Sequence, residues 1–345
     1  ENTMNKKTIL IIGGIIIIIG IIGGVLFFLQ KSAEPDIPYY FIAIHNEPWH
    51  EPSHTEGGEE RIAKEYLVLE EIVDKADQYN IKLTLMFTAQ WSDYIVTHNK
   101  LEKISEWEKN GHEIAQHHHS VNHGNWDGYT DYPEDVAIEK RKKTKPLKYE
   151  SYLGTLDDFM NKVKRLNPDL NSGCSNAKND NLSMPDEIIY DTCSGYANFG
   201  ETQKLSDINP GKGRNDYILS FDVNGIKRYW LAHYQIYKDV ELAKNAYDNL
   251  TSSQAYGVVI HSFEDEAEKL YEFMQFLYEK DPSANRSKTV SEIIEDRLLP
   301  EKTILKKLID EKTQIPYSSK KQGMCGDFIC DEFEEKNNVC PEDCN

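Results

Sequence analysis

The spacing of apolar and polar residues changes several times along the chain, and each change predicts an element. Thr8 to Leu29 is an unbroken run dominated by Ile, Gly, Leu and Phe with no charged residue. At a helical rise of about 1.5 Å per residue it is long enough to cross a hydrocarbon core of about 30 Å, and it exceeds the roughly 7–15 apolar residues of a signal peptide. It predicts a retained membrane anchor within residues 1–33. After Pro35 and Pro38, Tyr39 to Ile44 reads as a buried strand feeding the polar loop His45-Asn46-Glu47-Pro48-Trp49-His50. Ile62, Tyr66, Leu69, Ile72, Val73 and Ala76 recur at helical spacing and predict a helix over Arg61 to Tyr79, while Leu83, Leu85 and Phe87 alternate as on a strand from Ile81 to Phe87. A helix over Leu101 to Lys109 is closed by Asn110-Gly111, and a short strand from His112 to Gln116 then runs into a histidine cluster.

Further strands are predicted over Asp216 to Phe221, Lys227 to Tyr234 and Tyr256 to Ile260, and helices over Leu156 to Leu166, Val240 to Leu250 and Glu264 to Tyr278. This alternation favours an α/β fold with a parallel sheet or barrel, whose functional groups gather at the carboxyl ends of the strands. Three polar clusters fall at such ends: His45 to His50, His117 to His123, and His261 to Asp265. Far apart in sequence, they would face one mouth.

Charge sets the orientation. Lys6 and Lys7 precede the apolar span, and Glu34 and Asp36 follow it closely after the single Lys31, so the N-terminus is expected in the cytoplasm and everything beyond about residue 32 outside the cell. With 58 acidic against 39 basic residues, the formal charge of −19 argues against nucleic acid and anionic lipid as partners, since both need a basic surface. The six cysteines suit an oxidising compartment and three disulfides, from the pair Cys174 and Cys193 and the cluster Cys325, Cys330, Cys340 and Cys344. Asn181, Asn249 and Asn285 begin glycosylation triplets.

His119 and His123 stand four residues apart, a spacing that on a helical turn lets both imidazoles reach one divalent cation, zinc foremost. The competing reading is a surface histidine loop or a hydrogen-bonded core histidine. The third ligand has to come from elsewhere, and Glu47, at the end of the first strand, is the best placed. Water at the remaining position would become acidic enough to supply hydroxide near neutral pH.

Gly111-His112-Glu113-Ile114, leading to His119-Ser120-Val121-Asn122-His123, resembles the second motif of the polysaccharide deacetylase family, the NodB homology or carbohydrate esterase family four domain. Two extra residues separate the halves of that motif here. His45-Asn46-Glu47-Pro48 is similar to the family's first motif, and Val258-Val259-Ile260-His261-Ser262 to its last. The resemblance implies a distorted (β/α) barrel that hydrolyses N-acetyl groups on a cell-surface or extracellular glycan. It implies Glu47, His119 and His123 as metal ligands and His261 as proton donor to the leaving amine. His45 stands where the family has its catalytic Asp, and its imidazole could act as base, serve as a third nitrogen ligand, or mark lost chemistry. Leu170 to Asn176 contains no arginine to match the family's arginine motif. Trp49 and Trp126 are the candidate sugar-stacking residues, whereas His112 and His117 read as structural. A non-catalytic glycan-binding or structural protein on the same fold is the alternative, and a glycosidase would need a carboxylate pair that the sequence does not offer.

The deacetylase-like domain is expected to occupy residues 34–285, followed by a helical segment and linker over 286–322 and a Cys-rich module over 323–345. That module resembles small Cys-Gly-Asp-x-x-Cys repeats of archaeal and bacterial surface proteins. Too short to build a core, it would depend on its bridges, and Asp327, Asp331, Glu334 and Asp343 could offer oxygens to Ca²⁺.

Overall fold

The computed structural model describes residues 36–47, 58–143, 152–176, 184–193, 209–223 and 225–303. The apolar span Thr8 to Leu29, Trp49, the Asn181 triplet, the four C-terminal cysteines and Asp327, Asp331, Glu334 and Asp343 lie outside the described residues. Among those described, no helix is long and apolar enough to cross a membrane. Contacts divide the chain into Glu1–Asp36 and Ile37–Asn345, and the architecture below belongs to the second unit.

The strands are β1 (Tyr39–Asn46), β2 (Leu83–Phe87), β3 (Glu113–His119), β4 (Ser172–Asn176), β5 (Tyr190–Asp191), β6 (Arg214–Asn215), β7 (Ile218–Val223), β8 (Ile226–Trp230), β9 (Tyr234–Gln235), β10 (Ala255–His261) and β11 (Glu301–Thr303). They form one sheet in the order β11-β7-β8-β5-β4-β3-β2-β1-β10-β6, with β9 also on β10. From β8 to β10 every neighbouring pair is parallel. The antiparallel pairs β7 with β8 and β10 with β6 flank this centre.

Chain connectivity forces the sheet to curl. Only Asp216 and Tyr217 separate β6 from β7, which gives roughly 11 Å of chain. Laid flat at about 4.8 Å per strand, those two strands would stand almost 40 Å apart. The flanks therefore meet, and the Asn215 side chain bridges them: its Nδ2 donates to the Ala232 carbonyl at 2.9 Å and its Oδ1 accepts from the Ala232 amide at 2.7 Å. The expected α/β class and parallel centre are present. Closure of the ring falls to a side chain at this seam.

Alternation along the strands sends two residue sets to opposite faces. Ile42 and Ile44, Leu83, Leu85 and Phe87, and Val258 and Ile260 belong to one buried cluster with α1 (Glu59–Gln78), α2 (Ala89–Thr97), α3 (Leu101–Lys109), α6 (Val240–Asp248) and α7 (Glu264–Lys280). Phe41, Ala43, Met86, Ala115, Cys174 and Val259 point the other way and pack with Val290, Ile293 and Leu299. The remaining helices are α4 (Glu134–Lys143), α5 (Leu156–Val163) and α8 (Val290–Glu295).

Of the stretch expected to be a helical segment and linker, residues 286–303 bond to β1 and pair with β7. The Tyr40 amide donates to the Arg286 carbonyl at 3.0 Å, Lys288 returns a bond to Tyr40 at 2.9 Å, and β11 pairs with β7. Thr289 caps α8 in a capping box with Glu292. Glu113, at the start of β3, accepts from Thr84 Oγ1 at 2.9 Å and also from the Ser172 and Ser291 hydroxyls. These bonds tie β2, β3, β4 and α8 together at the amino ends of the strands, Phe41, Ala43, Met86, Ala115 and Val259 fill the middle of the same inner face, and polar residues return at the carboxyl ends.

Candidate active site

The polar end is built by period-two continuation of the inner face. Beyond Phe41 and Ala43 come His45 and Glu47, beyond Ala115 come His117 and His119, and beyond Val259 comes His261. Register places His45 beside His261, and His117 beside Cys174. The strand predicted to stop at Gln116 runs on to His119, because its polar residues line a cavity and still pair with β4.

Glu47 is the hub. Its Oε1 lies 3.0 Å from His117 Nε2 and 3.4 Å from His261 Nε2, and its Oε2 lies 3.6 Å from His119 Nδ1. Trp91, buried in α2, pins the Glu47 carbonyl through an indole N–H bond of 2.8 Å. Asn46 donates across to the Met86 carbonyl at 2.9 Å. Burial alone would push the Glu47 carboxyl up, but the field of His119 and the hydrogen bonds of His117 and His261 outweigh it and hold it well below the ordinary carboxylate range.

His45 stacks on His117 with ring centres 4.1 Å apart, with His233 at 5.6 Å and His261 at 6.0 Å. Burial, then the neighbouring imidazoles, hold its pKa well below the ordinary histidine value, so it is uncharged at neutral pH. Its Nε2 lies 4.0 Å from Cys193 Sγ. Cys193 is joined to Cys174 in a disulfide, with Cα atoms 4.7 Å apart, and so presents no thiolate.

His119 donates through Nδ1 to the Asn125 carbonyl at 2.7 Å, the kind of bond that fixes a ligand imidazole's tautomer. Burial keeps its pKa well below the ordinary range, with His123 and His117 adding to the effect and Glu47 opposing it. His123 sits in the turn after β3, its ring centre 4.0 Å from that of His119 and its Nδ1 accepting from the Asn125 amide at 3.1 Å. The turn is held by the buried Arg141 of α4, whose guanidinium donates to the His123 and Gly124 carbonyls. His261 donates through Nδ1 to Glu266 at 3.0 Å. Burial opposes its protonation, but hydrogen bonds to Glu266 and Glu47 prevail and push its pKa up to about 10.

Of the residues singled out in the sequence, His45, Glu47, His119 and His261 thus form one cluster, and His123 stands one ring further out. Trp126 requires correction as a stacking platform: it is only 2 % exposed, packs with Val121, Tyr132 and Val136, and spends its N–H on the Tyr129 carbonyl at 3.0 Å. His112 is structural, bonded to the Leu83 amide and to Asp77. His118 points to the opposite side of β3 and is paired with the buried Asp127 at 2.7 Å.

His117, read as structural, touches Glu47 directly. Its parity with Ala115 and His119 would have revealed it had the strand been extended. His233 and Glu266 were also missed. Glu266 carried a signal in the acidic first turn of a helix directly after His261, whereas His233 follows a strand whose end the sequence did not mark.

The residues suit a divalent cation. Oε2 of Glu47 and Nδ1 of His117 are buried with no hydrogen-bond partner, as expected of atoms shaped for an ion. One ligand atom from each of His45, Glu47 and His117 lies within 4.8 Å of the other two, close enough to gather about one ion. Ligands of a tetrahedral zinc, bound at about 2.0–2.1 Å, stand roughly 3.4 Å apart.

No protein-family model matches the chain, and no curated protein matches it. Among solved structures it is similar to peptidoglycan deacetylase PdaC from Bacillus subtilis, at 9 % identity and a TM-score of 0.34 over 83 % of this chain and 96 % of that one. It is similar to a protein from Mycobacterium smegmatis described as a polysaccharide deacetylase, at 13 % identity and a TM-score of 0.44 over 80 % and 96 %. A 4-alpha-glucanotransferase from Thermococcus litoralis aligns at 13 % identity with a TM-score of 0.41, covering 78 % of this chain and 39 % of that one.

Proposed function

We propose that the chain is a divalent-metal-dependent hydrolase that removes N-acetyl groups from a glycan outside the cell, where it is held by its N-terminal apolar span. The observation that carries the reading is the buried Glu47 carboxylate at the end of β1, met by histidine nitrogens from β3 and β10 at 3.0–3.6 Å. The resemblance of the three histidine-bearing motifs to those of polysaccharide deacetylases supplies the substrate class.

Glu47 and His119 would hold the cation, zinc foremost, with His123 joining them once its Nδ1 releases the Asn125 amide. When bound, such an ion lowers the pKa of a water molecule to about 7 and polarises an amide carbonyl. Glu47 brings the negative charge that a buried cation requires. The Asn125 carbonyl keeps the proton of His119 on Nδ1 and leaves Nε2 with its lone pair. His261 enters the reaction protonated, because Glu266 behind it stabilises the imidazolium, and its Nε2 faces the cavity beside Glu47. From there it delivers its Nε2 proton to the departing amine, while Nδ1 keeps its proton on Glu266, and a proton from solvent restores the imidazolium at Nε2.

Acetate release from N-acetylglucosamine oligomers by the zinc-loaded chain tests this reading, with His261→Asn as the comparison. Acetate is expected from the wild type and at least about 100-fold less from the variant, the usual contribution of a positioned proton donor. Equal rates for both would remove His261 from the mechanism, and no acetate from either would remove the function.

A further inference from the structure

The three ligands named above leave donors over. His45 and His117 stand on adjacent walls of the cavity with their rings stacked at 4.1 Å, and neither belongs to the pair His119 and His123. One ligand atom from each of His45, Glu47 and His117 lies within 4.8 Å of the other two, and all three side chains are buried. Oε1 of the carboxylate faces His117 Nε2 at 3.0 Å and His261 Nε2 at 3.4 Å, and Oε2 lies on the side of His119, 3.6 Å from its Nδ1. His117 Nδ1 is a buried nitrogen without a hydrogen-bond partner.

We propose that His45, Glu47 and His117 form a second divalent-cation position, sharing Glu47 with the position at His119 and His123. Two imidazoles and a carboxylate are a borderline N/O donor set that suits Zn²⁺, Co²⁺ or Mn²⁺. A carboxylate can bridge two ions about 3.5–4 Å apart through its two oxygens, the spacing of two-metal hydrolytic sites. The assignment makes His45 a ligand and not the proton acceptor that the family's first motif implies. It rests on the metal reading above only for the neighbouring position, so the two can fail separately.

The test counts ions. The full chain, stripped by a chelator, is dialysed against Zn²⁺ alone, and bound metal is measured by atomic emission for the wild type and for His45→Ala, His117→Ala and His119→Ala. Each variant is expected to hold one ion fewer than the wild type. If His45→Ala and His117→Ala keep the wild-type count, the second position is overturned while the His119 position stands. If His119→Ala alone keeps it, the second position stands and the reading at His119 and His123 falls. A readout without substitution uses Mn²⁺ in the wild type: electron paramagnetic resonance is expected to show a spin-coupled pair, and isolated ions alone would overturn the shared carboxylate.

Discussion

Replacing Glu266 with Gln in the metal-free chain isolates one cause of the unusual basicity of His261. In the wild type the ring donates to Glu266 at 3.0 Å, the backbone amide of His261 donates to the same carboxylate at 3.0 Å, and Nε2 faces Glu47 at 3.4 Å. Burial alone would lower the imidazole pKa, and the two carboxylates raise it to about 10. Glutamine keeps the shape and an acceptor oxygen but loses the charge. A hydrogen bond to a charged group is worth about 1.5–3 kcal/mol against about 1 kcal/mol for a neutral one. At about 1.36 kcal/mol per pH unit, the difference moves the His261 midpoint down to roughly 9. A raised imidazole pKa stabilises the fold fully below the unfolded value of 6.5, and that contribution is lost as pH rises through the folded midpoint. The wild type should therefore weaken progressively between pH 6.5 and about 10, and the variant should complete a smaller loss by roughly pH 9. Histidine-selective NMR, with His261 assigned from the spectrum of His261→Asn, gives the midpoint, and urea unfolding at several pH values gives the stability. A midpoint still near 10 would show that Glu266 does not set the basicity, and one at or below the ordinary histidine value would show that Glu47 by itself does not outweigh burial.

Other expectations follow from the packing and the backing of the site. A Cβ added at Gly257 would lie 2.2 Å from Phe41 Cζ and 2.4 Å from the Ala232 carbonyl oxygen, so Gly257→Ala should cost about 1–3 kcal/mol, read as a lowered Tm in calorimetry; an unchanged Tm would contradict the close packing at the seam. Asp127→Ala strips buried partners from His118 Nδ1 and from the His119 and Tyr129 amides. It should cost at least about 1–3 kcal/mol and weaken zinc binding, and unaltered zinc affinity by calorimetric titration would show that Asp127 does not position His119. Replacing both Cys174 and Cys193 with Ala opens a bridge of sequence separation 19 and should cost about 3 kcal/mol in denaturant unfolding.

How much of this was legible depends on whether a residue obeys the periodicity of its element. The helix over Leu101–Lys109 was readable to the residue, since Ile104 and Trp107 mark its buried side and Asn110-Gly111 ends it with a positive φ at Gly111. β10 was readable because its apolar run is buried on both faces. β3 was cut short because His117-His118-His119 looks like a polar loop, when in fact two of its rings line a cavity and the third is paired with Asp127. That single misreading hid His117. Trp126 misled in the opposite direction: its place beside the histidine turn suggested a rim, but its ring completes a small core under that turn. The strands Tyr190–Asp191 and Arg214–Asn215 are too short for any period to show, and the pairing that makes them strands is set by distant chain.

The central claim is that Glu47 anchors a cation among histidines drawn from separate strands. Anomalous X-ray diffraction at the zinc edge, from crystals grown with Zn²⁺, tests it most directly. The account predicts anomalous density within bonding distance of the Glu47 carboxylate and of at least two of His45, His117, His119 and His123. Zinc found only elsewhere, with Glu47 still hydrogen-bonded to His117, would contradict it.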